Sequence, residues 1–235
     1  MNTEKIRLER MLKENKITQQ DYNTLLVALE KKSFFSKMGS SLLLNPFQKI
    51  AGFKALVIGM MILVAMSCIG IIAKVYFLGP LSVINASALP KQTIDIGFLL
   101  LAYQNSISWL ILSILFIVAA TLLQKRKIRI IDFLGTVALA RFPLLLVTVV
   151  TGFVRVIYPH ILEIDMSKGI QLHASIGQYL YGIPVTILLV WQIIAYFYAF
   201  KESSGLVGKK LWLGFLIPLI ASEFIALPLT TLFMN

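Results

Sequence analysis

Five long apolar runs constrain most strongly what this chain can fold into. They cover about Phe53–Leu78, Leu99–Leu123, Phe133–Ile157, Ile176–Phe200 and Leu211–Phe233. Each is long enough to cross a bilayer, because ~20 residues at ~1.5 Å rise span the hydrocarbon core. The chain of 235 residues is 58% hydrophobic with a mean hydropathy of +0.83, which is too apolar for a soluble domain. We therefore expect an all-α polytopic membrane protein with five transmembrane helices in a bundle.

A small helical hairpin is predicted ahead of the first span. Apolar residues recur at helical spacing within residues 1–33, and Glu14-Asn15-Lys16 reads as a turn between two helices. Thr18 is a suitable N-cap for the second helix, and Asp21 stands three residues later as in a capping box. Residues 1–33 are thus interpreted as a cytoplasmic hairpin, 34–52 as a juxtamembrane connector and 53–235 as the transmembrane domain. The hairpin resembles the short SHOCT-type modules, on the pattern from Leu12 through Ile17-Thr18-Gln19-Gln20-Asp21-Tyr22.

The positions of the basic residues predict the orientation. Lys and Arg are common in the N-terminal segment and in the second and fourth connections, at Lys125, Arg126, Lys127, Arg129, Lys201, Lys209 and Lys210. The first and third connections hold only Lys91 and Lys168. By the positive-inside rule, the N-terminus should be cytoplasmic and the C-terminus outside. The net charge of +11 then faces anionic headgroups, so nucleic acid is not needed to explain it.

The third span carries a charge and a helix breaker deep in its apolar run. Arg141 lies about eight residues, or roughly 12 Å, inside if the helix enters at Phe133. Pro143 has no N–H and clashes with the carbonyl of Leu139, so the helix should bend or loosen there. One helical face carries polar and small residues and is expected to look into the bundle: Arg141, Leu145, Thr148, Gly152 and Arg155.

Glu223 is the other intramembrane charge. It stands about twelve residues into the fifth span, on a face with Leu219 and Ala226. A lone charge in hydrocarbon costs several kcal/mol, so we expect Arg141 and Glu223 to meet, with the freed Leu139 carbonyl as a further acceptor for the guanidinium. The candidate intramembrane polar residues are Arg141, Pro143, Thr148 and Glu223. Their role is either functional or that of a fixed ion pair that orders the bundle.

No catalytic, cofactor or metal motif stands out. The chain has no Walker loop, no His-Glu-x-x-His and no paired cysteines. The two histidines, His160 and His173, share the third connection with Glu163 and Asp165, but their spacing matches no standard zinc site. We expect neither an enzyme nor a bound cofactor.

The last two spans and the loop between them resemble the bacterial Yip1-domain family. Trp191 precedes the segment from Phe200-Lys201-Glu202 through Ser203-Ser204-Gly205 to Lys209-Lys210, which a final apolar helix follows. In the third span, Ala138 to Leu146 resembles the family's pattern of a small residue and an aromatic before a proline and a leucine run, with Leu139 where the family prefers the aromatic. The resemblance implies five helices, a cytoplasmic N-terminus, an outer C-terminus and a bacterial inner membrane. The Asp-Leu-Tyr-Gly-Pro motif of eukaryotic members is absent, so their role with Rab GTPases is not carried over.

Two classes of function fit these observations. One is a non-enzymatic integral membrane protein of Yip1 type that acts through protein or lipid partners, with self-association into a homo-oligomer also compatible. The other is a small transporter or channel with Arg141, Thr148 and Glu223 along a route. The sequence favours the first, because intramembrane polar groups look too scarce to line a path.

Overall fold

The computed structural model describes residues 45–85, 97–124, 128–162, 176–232 and 234, with short pieces before them at 11–12, 18–19, 21–23 and 26. The chain divides into two compact units, Met1–Pro46 and Phe47–Asn235. Most of the predicted hairpin over 1–33, and residues 34–44 of the predicted connector, lie outside the described residues.

The cap predicted in the first unit is confirmed. The hydroxyl of Thr18 accepts from the backbone N–H of Asp21 at 3.1 Å and donates to the Asp21 carboxylate at 2.7 Å. The backbone N–H of Thr18 also donates to that carboxylate at 3.3 Å. These hydrogen bonds, the hydroxyl's foremost, hold the pKa of Asp21 below its ordinary value.

Among the described residues of the second unit, five helices are long and apolar enough to cross a membrane, as predicted. The helices are α1 (Gly52–Ala73), α2 (Phe98–Leu123), α3 (Ile130–Leu139), α4 (Phe142–Ile157), α5 (Ile176–Ser204) and α6 (Gly208–Thr231). Here α3 and α4 are the two halves of one span, Ile130–Ile157. One short 3-10 turn, Pro46–Gln48, precedes α1 in the chain, and another, Pro159–Ile161, follows α4.

The first span is shorter than predicted and is followed by a β-hairpin. Helix α1 ends at Ala73, and Lys74 adopts the left-handed conformation with φ 49°. The strands β1 (Val75–Phe77) and β2 (Val83–Asn85) then pair antiparallel. The helical reading to Leu78 was wrong because β-branched and aromatic residues continue the apolar run while favouring a strand. We call the segment from Val75 to Asn85 the re-entrant hairpin, since residues 75–80 are buried.

Close backbone contact joins α1 to the third span. A Cβ at Gly135 would lie 2.6 Å from the carbonyl oxygen of Gly52 and 3.1 Å from the Cβ of Ala55. A Cβ at Gly59 would collide with Ala138. The small residues Ala55 and Gly59 on α1 thus let α3 approach closely.

A cluster of phenylalanines closes one end of the bundle. The rings of Phe116 and Phe200 are 4.8 Å apart, with Phe215 at 6.0 Å from Phe116 and Phe133 at 6.3 Å from Phe200. All four are fully or almost fully buried. They lie near the end where α2 and α5 finish and α3 and α6 begin. The rings come from four different helices, so they tie this end together.

Candidate functional site

The third span is broken in the middle of the membrane. Helix α3 stops at Leu139, Ala140 and Arg141 form a turn, and α4 restarts with Pro143 in its first turn. Gln192 on α5 bridges the break, because its amide donates to the Ala140 carbonyl at 2.9 Å and accepts from the Leu144 N–H at 3.1 Å. One side chain thus satisfies a carbonyl and an N–H that a continuous helix would have paired.

Arg141 is completely buried beside this break. Its Nη2 donates to Oδ1 of Asn105 at 3.1 Å, and Asn105 in turn donates to the Ser67 hydroxyl at 3.0 Å. Its Nε and Nη1 have no hydrogen-bond partner within the described part of the chain. Ser108, one turn further along α2, likewise has a buried hydroxyl that no described atom bonds. The span therefore holds a buried cation with N–H groups to spare.

Glu223 holds the tip of the re-entrant hairpin. Its Oε1 accepts from the Leu81 N–H at 2.6 Å, and its Oε2 accepts from the Ser82 hydroxyl at 2.5 Å. A Cβ at Gly79 would collide with the same carboxylate. The acid therefore acts as a clamp on the turn that joins the two strands.

Other side chains of the bundle bond the hairpin backbone at three further points. Gln104 accepts from the Phe77 N–H at 3.1 Å, Thr230 donates to the Leu78 carbonyl at 2.8 Å, and Tyr196 donates to the Pro80 carbonyl at 3.1 Å. Non-helical backbone at membrane depth is tolerated only where protein or water satisfies it, and α2, α5 and α6 do so here.

The direct pair predicted between Arg141 and Glu223 is wrong. The guanidinium bonds Asn105, and the carboxylate bonds the hairpin instead. The freed Leu139 carbonyl does not accept from the guanidinium either, since neither Nε nor Nη1 has a partner among the described residues. The two charges still interact electrostatically through the interior, together with Tyr196. The prediction failed because it compared only depths along two helices, and the hairpin reaches Glu223 first.

The remaining sequence-predicted residues take structural positions. Thr148 is buried as expected, but its hydroxyl donates to the carbonyl of Leu144 in its own helix at 2.9 Å. Pro143 is buried and starts α4, so the expected bend is a full break. Arg155, at the C-terminal end of the predicted face, donates to Oδ1 of Asn85 in the hairpin at 2.5 Å.

Sequence reasoning missed the buried amides. Gln104, Asn105 and Gln192 are all completely buried, and together they bond the hairpin, the arginine and the broken span. The expectation that polar groups are scarce inside the membrane was therefore wrong. The signal was present, because three primary amides inside apolar spans are costly unless each has partners.

The polar groups occupy the middle of the bundle. Arg141 is eleven residues beyond Ile130, about 17 Å by helix rise, and Tyr196 is eight residues before Ser204, about 12 Å. Glu223 is eight residues before Thr231, also about 12 Å but measured from the opposite end. The phenylalanine cluster lies on one side of these groups and the re-entrant hairpin on the other.

Within the described ranges no cluster of His, Cys, Asp and Glu could hold a metal ion. His173, Glu163 and Asp165 lie outside those ranges. The donors that the interior does offer are the guanidinium, amides and hydroxyls, which bind anions, carbonyl groups and water. Comparison with protein-family models, with curated proteins and with solved structures finds no match to this chain.

Proposed function

We propose that this chain is a non-enzymatic integral membrane protein that binds a small polar solute inside its helix bundle and moves it across the membrane. The observation that carries the proposal is the unused Nε and Nη1 of Arg141 at the centre of a broken span. Leaving buried N–H groups of a cation unpaired costs about 1–3 kcal/mol or more. Such a cost is expected where the missing partner is a ligand or the water that it displaces.

Two further features support transport. Broken transmembrane helices and re-entrant segments commonly form solute sites near the midplane of transporters. Here the broken span contributes Arg141 to the interior of the bundle, and Glu223 joins that interior to the re-entrant hairpin. The phenylalanine cluster lies at one end of this interior and the hairpin at the other, an arrangement that would suit the occluded state of a transporter. Opening would require movement of the hairpin or of the helices that carry the rings.

A swelling assay tests the transport proposal. Proteoliposomes are placed in isosmotic acetate, phosphate, glycine or glucose, and light scattering follows solute entry. We expect at least one solute to enter faster with the wild-type protein than with Arg141→Gln, while a lipid-facing control, Phe224→Leu, keeps the wild-type rate. Rates equal to those of protein-free vesicles for every solute would contradict transport.

A second candidate is the Yip1-type role through protein or lipid partners. It is favoured by the number of spans, which is the five that the resemblance implies. In this reading the buried polar groups only fix the bundle. Chemical crosslinking in native membranes followed by purification tests it. A specific protein partner, together with no solute entry in the swelling assay, would favour this role over transport.

Orientation and lipid contact form part of the same proposal. The exposed cations Lys49, Lys54, Arg129, Lys209 and Lys210 flank the end that the phenylalanine cluster closes. We place that end at the cytoplasmic face of a bacterial inner membrane, against anionic headgroups, with the C-terminus outside.

A further inference from the structure

We infer that Arg141, at the break in the third span, is a binding site for a small soluble oxyanion such as a carboxylate or phosphate, and that Glu223 takes up a proton when the anion binds. This inference rests on the proposed function, because it names the class of solute that would be carried.

Arg141 has N–H groups that no described residue uses. Arg141 is fully buried, and its one hydrogen bond to a described residue uses Nη2. Nε, Nη1 and the second hydrogen of Nη2 remain. Nη2 shares one edge of the planar guanidinium with Nε and another edge with Nη1, so one edge keeps two roughly parallel N–H bonds whichever Nη2 hydrogen bonds Asn105. The spacing of these two N–H bonds matches the two oxygens of a carboxylate or phosphate.

The guanidinium sets the sign of the ligand's charge. Helix α4 begins at Phe142, immediately after Arg141, but α3 ends at Leu139, so opposite dipole ends of the two helices meet at the break and largely offset each other. The guanidinium repels a cation, and it has no lone pair to offer a donor. The site thus favours an anion over a cation or a neutral donor.

Charge balance links the binding of an anion at Arg141 to the protonation of Glu223. Arg141 and Glu223 already interact, so an added anion would leave the interior with one excess negative charge. Excess charge inside a membrane costs several kcal/mol, and protonation of Glu223 from water removes it. Anion binding and proton binding should therefore favour each other.

Glu223 is the group that can make this change. Within the part of the chain that the structure describes, Arg141 and Tyr196 interact with its charge. Among the described residues, α2 adds one titratable side chain, Tyr103, whose hydroxyl donates to the Leu229 carbonyl, and the hairpin adds the buried Tyr76. Tyrosine and arginine side chains keep their charge state between about pH 5 and pH 8, but phosphate itself changes its protonation there, so the part of the pH dependence that Glu223→Gln removes reports on the carboxylate. The protonated acid can still accept from the Leu81 N–H, so the clamp on the hairpin persists.

The test is ligand-dependent thermal unfolding of the full-length protein in nanodiscs of zwitterionic lipid. Sodium acetate and sodium phosphate are titrated at constant ionic strength, with sodium chloride as the replacement salt. We expect a saturable rise in the unfolding temperature with an oxyanion, and a larger rise at about pH 5 than at about pH 8. Arg141→Gln should lose the saturable part and keep only the general salt effect that phosphate has on any protein.

Glu223→Gln keeps the proposal testable if Arg141 variants do not fold, since glutamine is neutral and can still accept from the hairpin. We expect it to bind the oxyanion about tenfold or more tightly at about pH 8 and to lose the pH dependence. No saturable rise with either oxyanion would overturn the proposal, and would assign the unused donors to water.

Two further arms separate the alternatives. A lipid headgroup as the ligand predicts stabilisation by phosphatidylglycerol nanodiscs and no further effect of acetate, an outcome that would overturn the soluble anion. Binding without solute entry in the swelling assay would keep the anion site and reject transport. Entry of glucose without any effect of oxyanions would keep transport and reject the anion site.

Discussion

At the scale of single residues, Gln192 joins the two halves of the broken span, a role that its position in an apolar helix does not reveal. It bonds both the Ala140 carbonyl and the Leu144 N–H across the break. Replacing it with alanine should lower the free energy of unfolding by about 2–4 kcal/mol, because two buried backbone groups lose their partners. Equilibrium unfolding in mixed micelles measures this. Gln48→Ala is the control, since that side chain is exposed and its removal should cost less than about 0.5 kcal/mol.

Asn105 and Ser113 form a matched pair on α2. Asn105 supplies the hydrogen bond to Arg141 seen at 3.1 Å, so Asn105→Ala should destabilise the protein by about 1.5–3 kcal/mol. Ser113 is equally buried, but its hydroxyl has no partner among the described residues. Ser113→Ala should therefore be neutral or stabilising in the same unfolding experiment. Equal losses from the two substitutions would mean that the bond to Arg141 contributes nothing particular.

At the scale of elements, the re-entrant hairpin depends on glycine at its turn. A Cβ at Gly79 would collide with the Glu223 carboxylate, so Gly79→Ala should push the hairpin tip off its clamp and cost about 1–3 kcal/mol. At Gly182 a Cβ would meet nothing within 4 Å, so Gly182→Ala should be neutral or slightly stabilising. Unfolding and proteolysis of the hairpin measure both variants. A harmless Gly79→Ala would show that the clamp is loose.

The sequence predicts the helices better than it predicts the hairpin. Apolar runs of membrane length identify the spans, and Pro143 correctly predicts a disturbance in the third. The hairpin is hidden because Val75, Tyr76 and Phe77 extend an apolar run without a change in hydropathy. The pairing of Glu223 with Ser82 could not be read from the chain, since it depends on how far that hairpin enters the bundle. The amides were visible, but their partners are backbone groups of other elements.

At the scale of the whole molecule, we predict five membrane crossings, which place the N-terminus and the C-terminus on opposite sides of the membrane. A reporter that is active only in the cytoplasm, fused after Asn235, should be silent, and the same reporter at the N-terminus should be active. The physical reason is the excess of Lys and Arg in the N-terminal segment and even connections. Strong activity of the C-terminal fusion would mean an even number of crossings and would contradict the proposed topology.

The interior of the bundle is either accessible to solutes, or its polar groups serve only to stabilise the fold. Ser108 distinguishes the two, because its buried hydroxyl lies one turn from Asn105 and serine to cysteine is nearly isosteric. Leu112, one further turn along the same buried face and also fully buried, provides a control position. Both cysteines are introduced into a Cys68→Ala background, since Cys68 is the only other thiol.

The most direct measurement is the rate at which a small anionic methanethiosulfonate modifies these two cysteines in proteoliposomes. We predict that the cysteine at 108 is modified, that an oxyanion slows its modification, and that the cysteine at 112 stays unmodified. A cysteine at 108 as inert as the one at 112, in a folded protein, would contradict a solute-accessible interior and leave Arg141 a structural residue.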